Sequence, residues 1–326
     1  MAADVTLPDT LLPAMRAIVE TMSATPLPAL ASLSPAAARA QDAAYFDAVW
    51  NAEAPALPAV TDHRVPGGAG TIAIRLYDPG AARPAPCLVY LHGGGFVLGG
   101  LDSHDRVCRE LALAAGVLVA AVDYRLAPEH KFPLPLQDCV AAVRAVAAVG
   151  ESWGIDAARL AVGGDSAGGN LALSTLLALR DQGGPTLRAG LLVYGMFAAD
   201  PACSSQRRFG DGSLLLSTAD TEWFWDCYLA DAAQRRDPLA VPLLADLHGL
   251  PPLHVAAATL DPLLDDSLRL VERLEAAQQP HAFRLWPDLT HKSFQISRRL
   301  EPMRGHIAEI GQFLREALAP AAVFSP

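Results

Sequence analysis

Paired cysteines, basic clusters and long apolar runs are all missing from this sequence. Its five cysteines, Cys87, Cys108, Cys139, Cys203 and Cys227, are odd in number and scattered, with no CxxC spacing. That argues against a disulfide framework or a cysteine zinc site and leaves them as small buried hydrophobes. No block of lysine and arginine occurs, and the formal charge is −10 with a pI near 5.3. A nucleic-acid partner is therefore not expected. The longest apolar stretch, residues 111–122, falls far below the ~20 residues that a membrane span needs. The first residues, Met1 to Val5, show neither the basic region nor the apolar core of a signal peptide. A soluble, cytoplasmic protein is expected. Charged residues make up only 18% and hydrophobic ones 52% of the 326 residues, enough for a large core in one α/β domain.

Residues 1–60 are rich in alanine and proline and show no strand pattern. Tyr45, Phe46, Val49 and Trp50 form one apolar cluster there. The character then changes. Ile72, Ile74 and Leu76 alternate along 71–77 after a glycine-rich turn, so 61–66 and 71–77 read as an antiparallel hairpin. Short apolar strands follow at 87–91, 117–122, 159–163, 188–194, 253–258 and 282–286. Between and after them lie helical segments near 102–115, 136–149, 167–181, 264–278 and 302–318. This alternation specifies a parallel sheet with helices on both faces. With the hairpin, eight strands are expected.

Almost sixty residues interrupt the rhythm before the strand at Leu253. They include Trp223, Phe224, Trp225 and Tyr228 on a helix after Ser217. An insertion at the carboxyl edge of a parallel sheet lies where ligands bind. Together, residues of about 1–55 and 200–235 are expected to form a helical cap on a single 1–326 domain.

The most informative run is Gly163-Gly164-Asp165-Ser166-Ala167-Gly168-Gly169-Asn170. It holds G-x-S-x-G between a strand and a helix, the pattern of a turn so tight that it exposes a serine hydroxyl at its tip. A glycine-rich turn with Ser166 as a mere helix cap would carry the same five residues, so context decides. Upstream, the strand ending at Leu91 runs into His92-Gly93-Gly94-Gly95-Phe96. Acyl transfer passes through an oxyanion, and unobstructed backbone N–H groups are suitable donors for it. Gly93, Gly94, Gly95 and Ala167 are the candidate donors.

A serine hydroxyl needs a base, and the base needs an orienting carboxylate. The turn at Ser166 resembles the nucleophile elbow of the α/β-hydrolases, and that resemblance implies the chain order serine, acid, histidine. Five histidines follow Ser166. His254 lies in a strand, His248 before it, His281 at the start of the last strand and His306 on the final helix. His291 sits after the last strand, at the sheet edge that carries Ser166. Asp261 lies in the loop at the carboxyl end of the strand at 253–258 and is preferred as the acid; Asp288, three residues before His291, is its rival.

At this point the sequence resembles the bacterial hormone-sensitive-lipase-like (family IV) carboxylesterases of the α/β-hydrolase superfamily. The resemblance rests on His92-Gly93-Gly94-Gly95, Asp123-Tyr124-Arg125-Leu126-Ala127-Pro128-Glu129-His130, the run at 164–170, and Asp261-Pro262-Leu263-Leu264-Asp265-Asp266. It implies an α/β-hydrolase fold with a mostly parallel eight-stranded sheet, a helical cap, and Ser166, Asp261 and His291 as catalytic triad. One departure stands out. The family's usual Gly-Phe after the catalytic histidine is replaced by Lys292-Ser293-Phe294.

The expected chemistry is ester hydrolysis through an acyl-enzyme, with no metal or cofactor and a small-molecule ester of short or medium chain as substrate. Phe96, Asp165, Trp223, Phe224 and Leu263 are expected around the pocket. Arg125 and Glu129 are expected to pair with each other as scaffolding, and His92 to brace its own loop. Attack on another acyl bond (amide, lactone or carbamate) and a non-catalytic ligand-binding role are the alternatives. The final strand at 282–286 is a candidate edge for pairing in a homodimer.

Overall fold

The computed structural model describes residues 7–24, 27–45, 49, 51–68 and 70–320. Phe46 and Trp50 of the expected apolar cluster lie outside them. Eight strands form one sheet: β1 (Ala59–Gly67), β2 (Gly70–Asp78), β3 (Ala85–Leu91), β4 (Leu118–Asp123), β5 (Ile155–Asp165), β6 (Leu187–Val193), β7 (Leu253–Leu260) and β8 (His281–Thr290). The helices are α1 (Pro13–Ser23), α2 (Pro35–Ala43), α3 (Asp105–Ala115), α4 (Leu134–Val149), α5 (Ala167–Gln182), α6 (Ser204–Phe209), α7 (Thr218–Tyr228), α8 (Leu264–Ala276) and α9 (Glu301–Ala317). The strand order is β1-β2-β4-β3-β5-β6-β7-β8. The hairpin β1–β2 and the pair β2–β4 are antiparallel, and the other pairs are parallel.

Strand periodicity splits the core into two layers. In β3, Cys87, Val89 and Leu91 face one layer, Leu88 and Tyr90 the other. The first layer is completed by Cys139 and Val143 of α4, Leu171 and Leu176 of α5, and Leu270 and Leu274 of α8. The second takes Met15 of α1, Val107 and Leu111 of α3, and Ile307 and Ile310 of α9. Both faces of the sheet are therefore covered, which explains why its central strands read as continuous apolar runs.

Parallel strands place their carboxyl ends on one edge. β3 there hands the chain to His92, β5 to Ser166, β7 to Asp261 and β8 to His291. β8 runs further than the expected 282–286. Leu260 pairs with Thr290 after a register shift between Ala258 and Leu260. Asp288 takes up the irregularity at φ 59°, and its N–H donates to Thr259 Oγ1 at 2.9 Å. Residues 287–290 are thus strand rather than loop.

The insertion after β6 carries α6 and α7. α7 starts at a capping box in which Asp220 N–H donates to Ser217 Oγ at 2.9 Å and Ser217 N–H to Asp220 Oδ2 at 3.1 Å. This reciprocal pair satisfies two otherwise orphaned donors. The helix buries Phe224, Trp225 and Tyr228. Lys131 ties its end to the body of the fold by donating to Asp226 O and Leu229 O.

Candidate active site

Ser166 stands between β5 and α5 at φ 54°, ψ −121°. That conformation is strained for a residue with a side chain. It is held by backbone bonds: Ser166 N–H donates to Val193 O at 2.9 Å, and Met196 N–H to Ser166 O at 3.1 Å. The small neighbours are a steric necessity, because a Cβ on Gly168 would lie 2.0 Å from Leu91 O. Ser166 makes no helix-capping bond with its side chain, so the hydroxyl is available for other work. Asn170, buried in the first turn of α5, donates to Met196 O and Ala240 O at 2.8 and 3.0 Å. It thereby fastens the helix to the segments entering and leaving the insertion.

Three expected residues come together across 125 positions of sequence. Ser166 Oγ lies 3.0 Å from His291 Nε2, and His291 Nδ1 lies 2.8 Å from Asp261 Oδ2. The other Asp261 oxygen accepts the Leu263 N–H at 2.8 Å. A carboxylate only accepts, so Nδ1 carries the imidazole proton and Nε2 keeps a lone pair toward the serine. All three side chains are buried. The Tyr194 ring packs 4.5 Å from the imidazole, centroid to centroid. Asp288 makes no such contact; its backbone bonds to Thr259 and Leu12 instead.

The glycine turn corrects one expectation. Gly93 N–H donates to Asp165 Oδ1 at 3.1 Å, so it is already engaged. The N–H groups of Gly94, Gly95 and Ala167 make no hydrogen bond among the described residues. His92 braces the turn as expected. Its ring stacks on Tyr124 at 4.2 Å, and Tyr124 OH donates to His92 O at 2.7 Å. Burial, with His104 adding repulsion, pushes the His92 imidazole down to about 3, so it stays neutral.

Asp165 is buried beneath this turn. Tyr90 OH donates to it at 2.6 Å, and His104 Nε2 lies 3.1 Å away. Burial alone would raise its carboxyl, but His104, Tyr90 and His291 together hold it below the ordinary carboxylate range. Asp165 reaches the cavity wall, yet its oxygens serve the scaffold.

A narrow cavity of about 40 Å³ opens over Ser166 and His291. Leu30, Leu98, Met196, Leu216, Phe224 and Leu263 supply its apolar wall, and Asp42, Thr221, Lys292 and Gln295 its polar one. Phe224 and Leu263 thus lie where expected. Phe96 and Trp223 do not. Phe96 stacks on Tyr228 at 3.8 Å, and Trp223 packs beside Phe224 at 5.3 Å, both outside the lining. At φ 65° the Phe96 backbone turns its ring inward, beneath α7. The Arg125–Glu129 pair is also corrected. Arg125 pairs with Asp138 at 2.7 Å, and Glu129 with Arg39 at 2.6 Å, because α4 and α2 bring nearer partners. No group of metal-ligating side chains occurs among the described residues, and no helix there is long and apolar enough to cross a membrane.

Sequence reasoning missed His104, Tyr194 and Gln295. His104 and Gln295 touch one another at 3.2 Å, and Tyr194 follows β6. No motif marks them. His104 looked like one residue of a helix start.

The fold and site define an α/β hydrolase, and residues 88–295 match the α/β-hydrolase-fold family. The chain belongs to that family. It is 41% identical over 239 residues to the carboxylic ester hydrolase LipN of Mycobacterium tuberculosis, a match covering 71% of this chain but 63% of LipN. It is 40% identical over 225 residues to the esterase LipI of the same organism, covering 68% of this chain and 70% of LipI. Among solved structures, a thermostable esterase from Pseudomonas putida superposes with TM-score 0.92 at 28% identity, covering 97% of this chain and 100% of that one. The ester hydrolase EH1AB1 from the Lake Arreo metagenome, bound to a bipyridine phosphonate derivative, gives 0.88 at 37% identity over 94% and 98%. These names support the hormone-sensitive-lipase-like esterase resemblance seen in the motifs.

Proposed function

We propose that the protein is a serine carboxylesterase acting on esters with short or medium acyl groups. The observation that carries this reading is the buried relay from Asp261 through His291 to Ser166, with contacts of 2.8 and 3.0 Å. It ends on a cavity beside N–H groups that have no other partner among the described residues.

In this reading His291 Nε2 takes the hydroxyl proton as Ser166 Oγ attacks the ester carbonyl carbon. The carbonyl π pair moves to oxygen. The N–H groups of Ala167 and of Gly94 or Gly95 receive that negative charge, an interaction that strengthens as the transition state forms. Collapse expels the alcohol oxygen, which takes the proton back from Nε2. Water then attacks the acyl-enzyme and passes its proton to His291. The second collapse returns that proton to Ser166 Oγ and releases the acid. Asp261 accepts the Nδ1–H throughout, holding the tautomer and stabilising the imidazolium.

α2, the segment 214–216 and α7 act as the cap. The cavity beneath is narrow, about 40 Å³, which favours small acyl groups. The test is hydrolysis of p-nitrophenyl esters from C2 to C12 by wild type and Ser166→Ala. Turnover by wild type and its loss in the variant are expected. No wild-type turnover, or undiminished turnover by Ser166→Ala, would overturn the reading.

A further inference from the structure

One buried imidazole touches three of the four loops that carry the reactive groups. His104 stands immediately before α3 and is 2% exposed. Its Nε2 lies 3.1 Å from the Asp165 carboxylate, 3.3 Å from Gly93 N and 3.2 Å from the Gln295 carboxamide. Asp165 precedes Ser166, Gly93 opens the glycine turn, and Gln295 lies four residues beyond His291. On the far side of the ring, Nδ1 lies 2.8 Å from Ser103 Oγ. That hydroxyl accepts the Gly100 N–H at 2.9 Å, which ties the ring to the segment returning from the same turn.

None of these contacts is needed to form the relay of Ser166, His291 and Asp261. They bear instead on where the free N–H groups point. Gly94 and Gly95 have φ of 117° and 61° and no side chains to hold them. Glycine pairs of this kind populate many conformations unless an anchor fixes a neighbouring peptide. One anchor is the Gly93 N–H on Asp165 Oδ1, beside the contacts of Gly93 O with His92 Nδ1 and of Gly94 O with the Leu98 N–H, each at 2.8 Å; its fit is close, since a Cβ on Gly93 would lie 2.5 Å from Asp165 Oδ2. A buried carboxylate keeps its place only while donors surround it. Tyr90 supplies one and the Gly93 N–H another, and His104 Nε2 at 3.1 Å is the third polar group against it.

The geometry points to His104 as a positioning residue of the reaction: through Asp165 and Gly93 it sets the Gly94 and Gly95 N–H groups against Ser166. This rests on the esterase reading above. His104 reaches the cavity wall, but in that reading it exchanges no proton with the substrate. It acts on the carboxylate that holds the turn, and through Gln295 on the loop that holds the base.

A role in packing alone would lower thermal stability and leave transition-state recognition intact. A positioning role separates the two. The experiment compares wild type, His104→Gln and Ser103→Ala on p-nitrophenyl butyrate. It records kcat, KM, the melting temperature, and the inhibition constant of an alkyl trifluoromethyl ketone, whose serine adduct resembles the oxyanion intermediate. A small displacement of catalytic groups costs about a hundredfold in rate, so His104→Gln is expected to lose about that in kcat. KM is expected to stay within about threefold, as for an interaction made mainly in the transition state. Affinity for the ketone should fall in parallel with kcat. Ser103→Ala should show the same pattern at smaller size, and it decides the matter if His104→Gln does not fold. Unchanged kcat in the folded variants, or a lowered melting temperature with unchanged ketone affinity, overturns the proposal. Failure of wild type on every ester would instead overturn the esterase reading, so the two failures are distinct.

Discussion

The Phe224 ring lies directly on Gly95. A Cβ at Gly95 would sit 2.1 Å from the ring's Cγ, and Gly95 has φ 61°. α7 therefore closes the cavity against the turn that carries candidate oxyanion donors. Phe224→Ala should remove that wall. The expected outcome is a shift of kcat/KM toward C8–C12 p-nitrophenyl esters relative to C2–C4. Truncating a buried phenylalanine also costs about 3–5 kcal/mol of stability, readable as a lower melting temperature. An unchanged chain-length profile would show that the ring does not limit the acyl group.

Asp261 and Asp288 are separable by amide substitution. Asp261→Asn offers His291 Nδ1 the wrong partner and is expected to lower kcat by about 10⁴. Asp288→Asn should leave kcat within about threefold, because asparagine tolerates the left-handed backbone that this position adopts. Steady-state kinetics at saturating ester checks both. A large loss confined to Asp288→Asn would reassign the acid.

Asp266 supplies a pH prediction. Its buried carboxyl is pushed up to about 8, chiefly by burial, while the Ala198 N–H at 2.7 Å pulls the other way. The folded chain then keeps a proton there that the unfolded chain releases near ~4. Folded protein binds more protons across that interval, so the stability due to this group falls as pH rises from about 4 to about 8. Asp266→Asn keeps an acceptor for Ala198 and removes the ionisation. Its melting temperature should decline less than that of wild type between pH 5 and pH 8. Parallel declines would sink the assignment.

Lys292 adopts φ 68°, the left-handed conformation that suits glycine. Lysine thus stands, in place of the resembling family's glycine, on a backbone of the kind that glycine favours. A left-handed backbone costs a residue with a Cβ about 1–2 kcal/mol. Lys292→Gly is expected to keep kcat within a few-fold and to leave His291 in place, while altering selectivity, since Lys292 lines the cavity. A collapse of kcat on every ester would show that the lysine side chain itself supports the base.

Much of the architecture is legible in the sequence alone. The alternation of apolar strands and helices, the hairpin and all eight strands follow from periodicities carried within a few residues. The glycine turn and the elbow follow from local turn chemistry at the ends of those strands, and the order of Ser166, Asp261 and His291 from the family resemblance that those motifs carry. Partner choice was not legible. Tertiary structure decided that Arg125 meets Asp138, that Gly93 gives its N–H to Asp165, and that Phe224 rather than Phe96 or Trp223 walls the cavity. It also placed His104 beneath the elbow. The physical reason is range. Backbone form depends on neighbours along the chain, whereas a hydrogen bond or a ring contact depends on which distant element arrives within a few ångströms. The bulge that sends Asp288 to Thr259 and leaves His291 facing Asp261 is set by the pairing of β7 with β8, and no stretch of either strand encodes it alone.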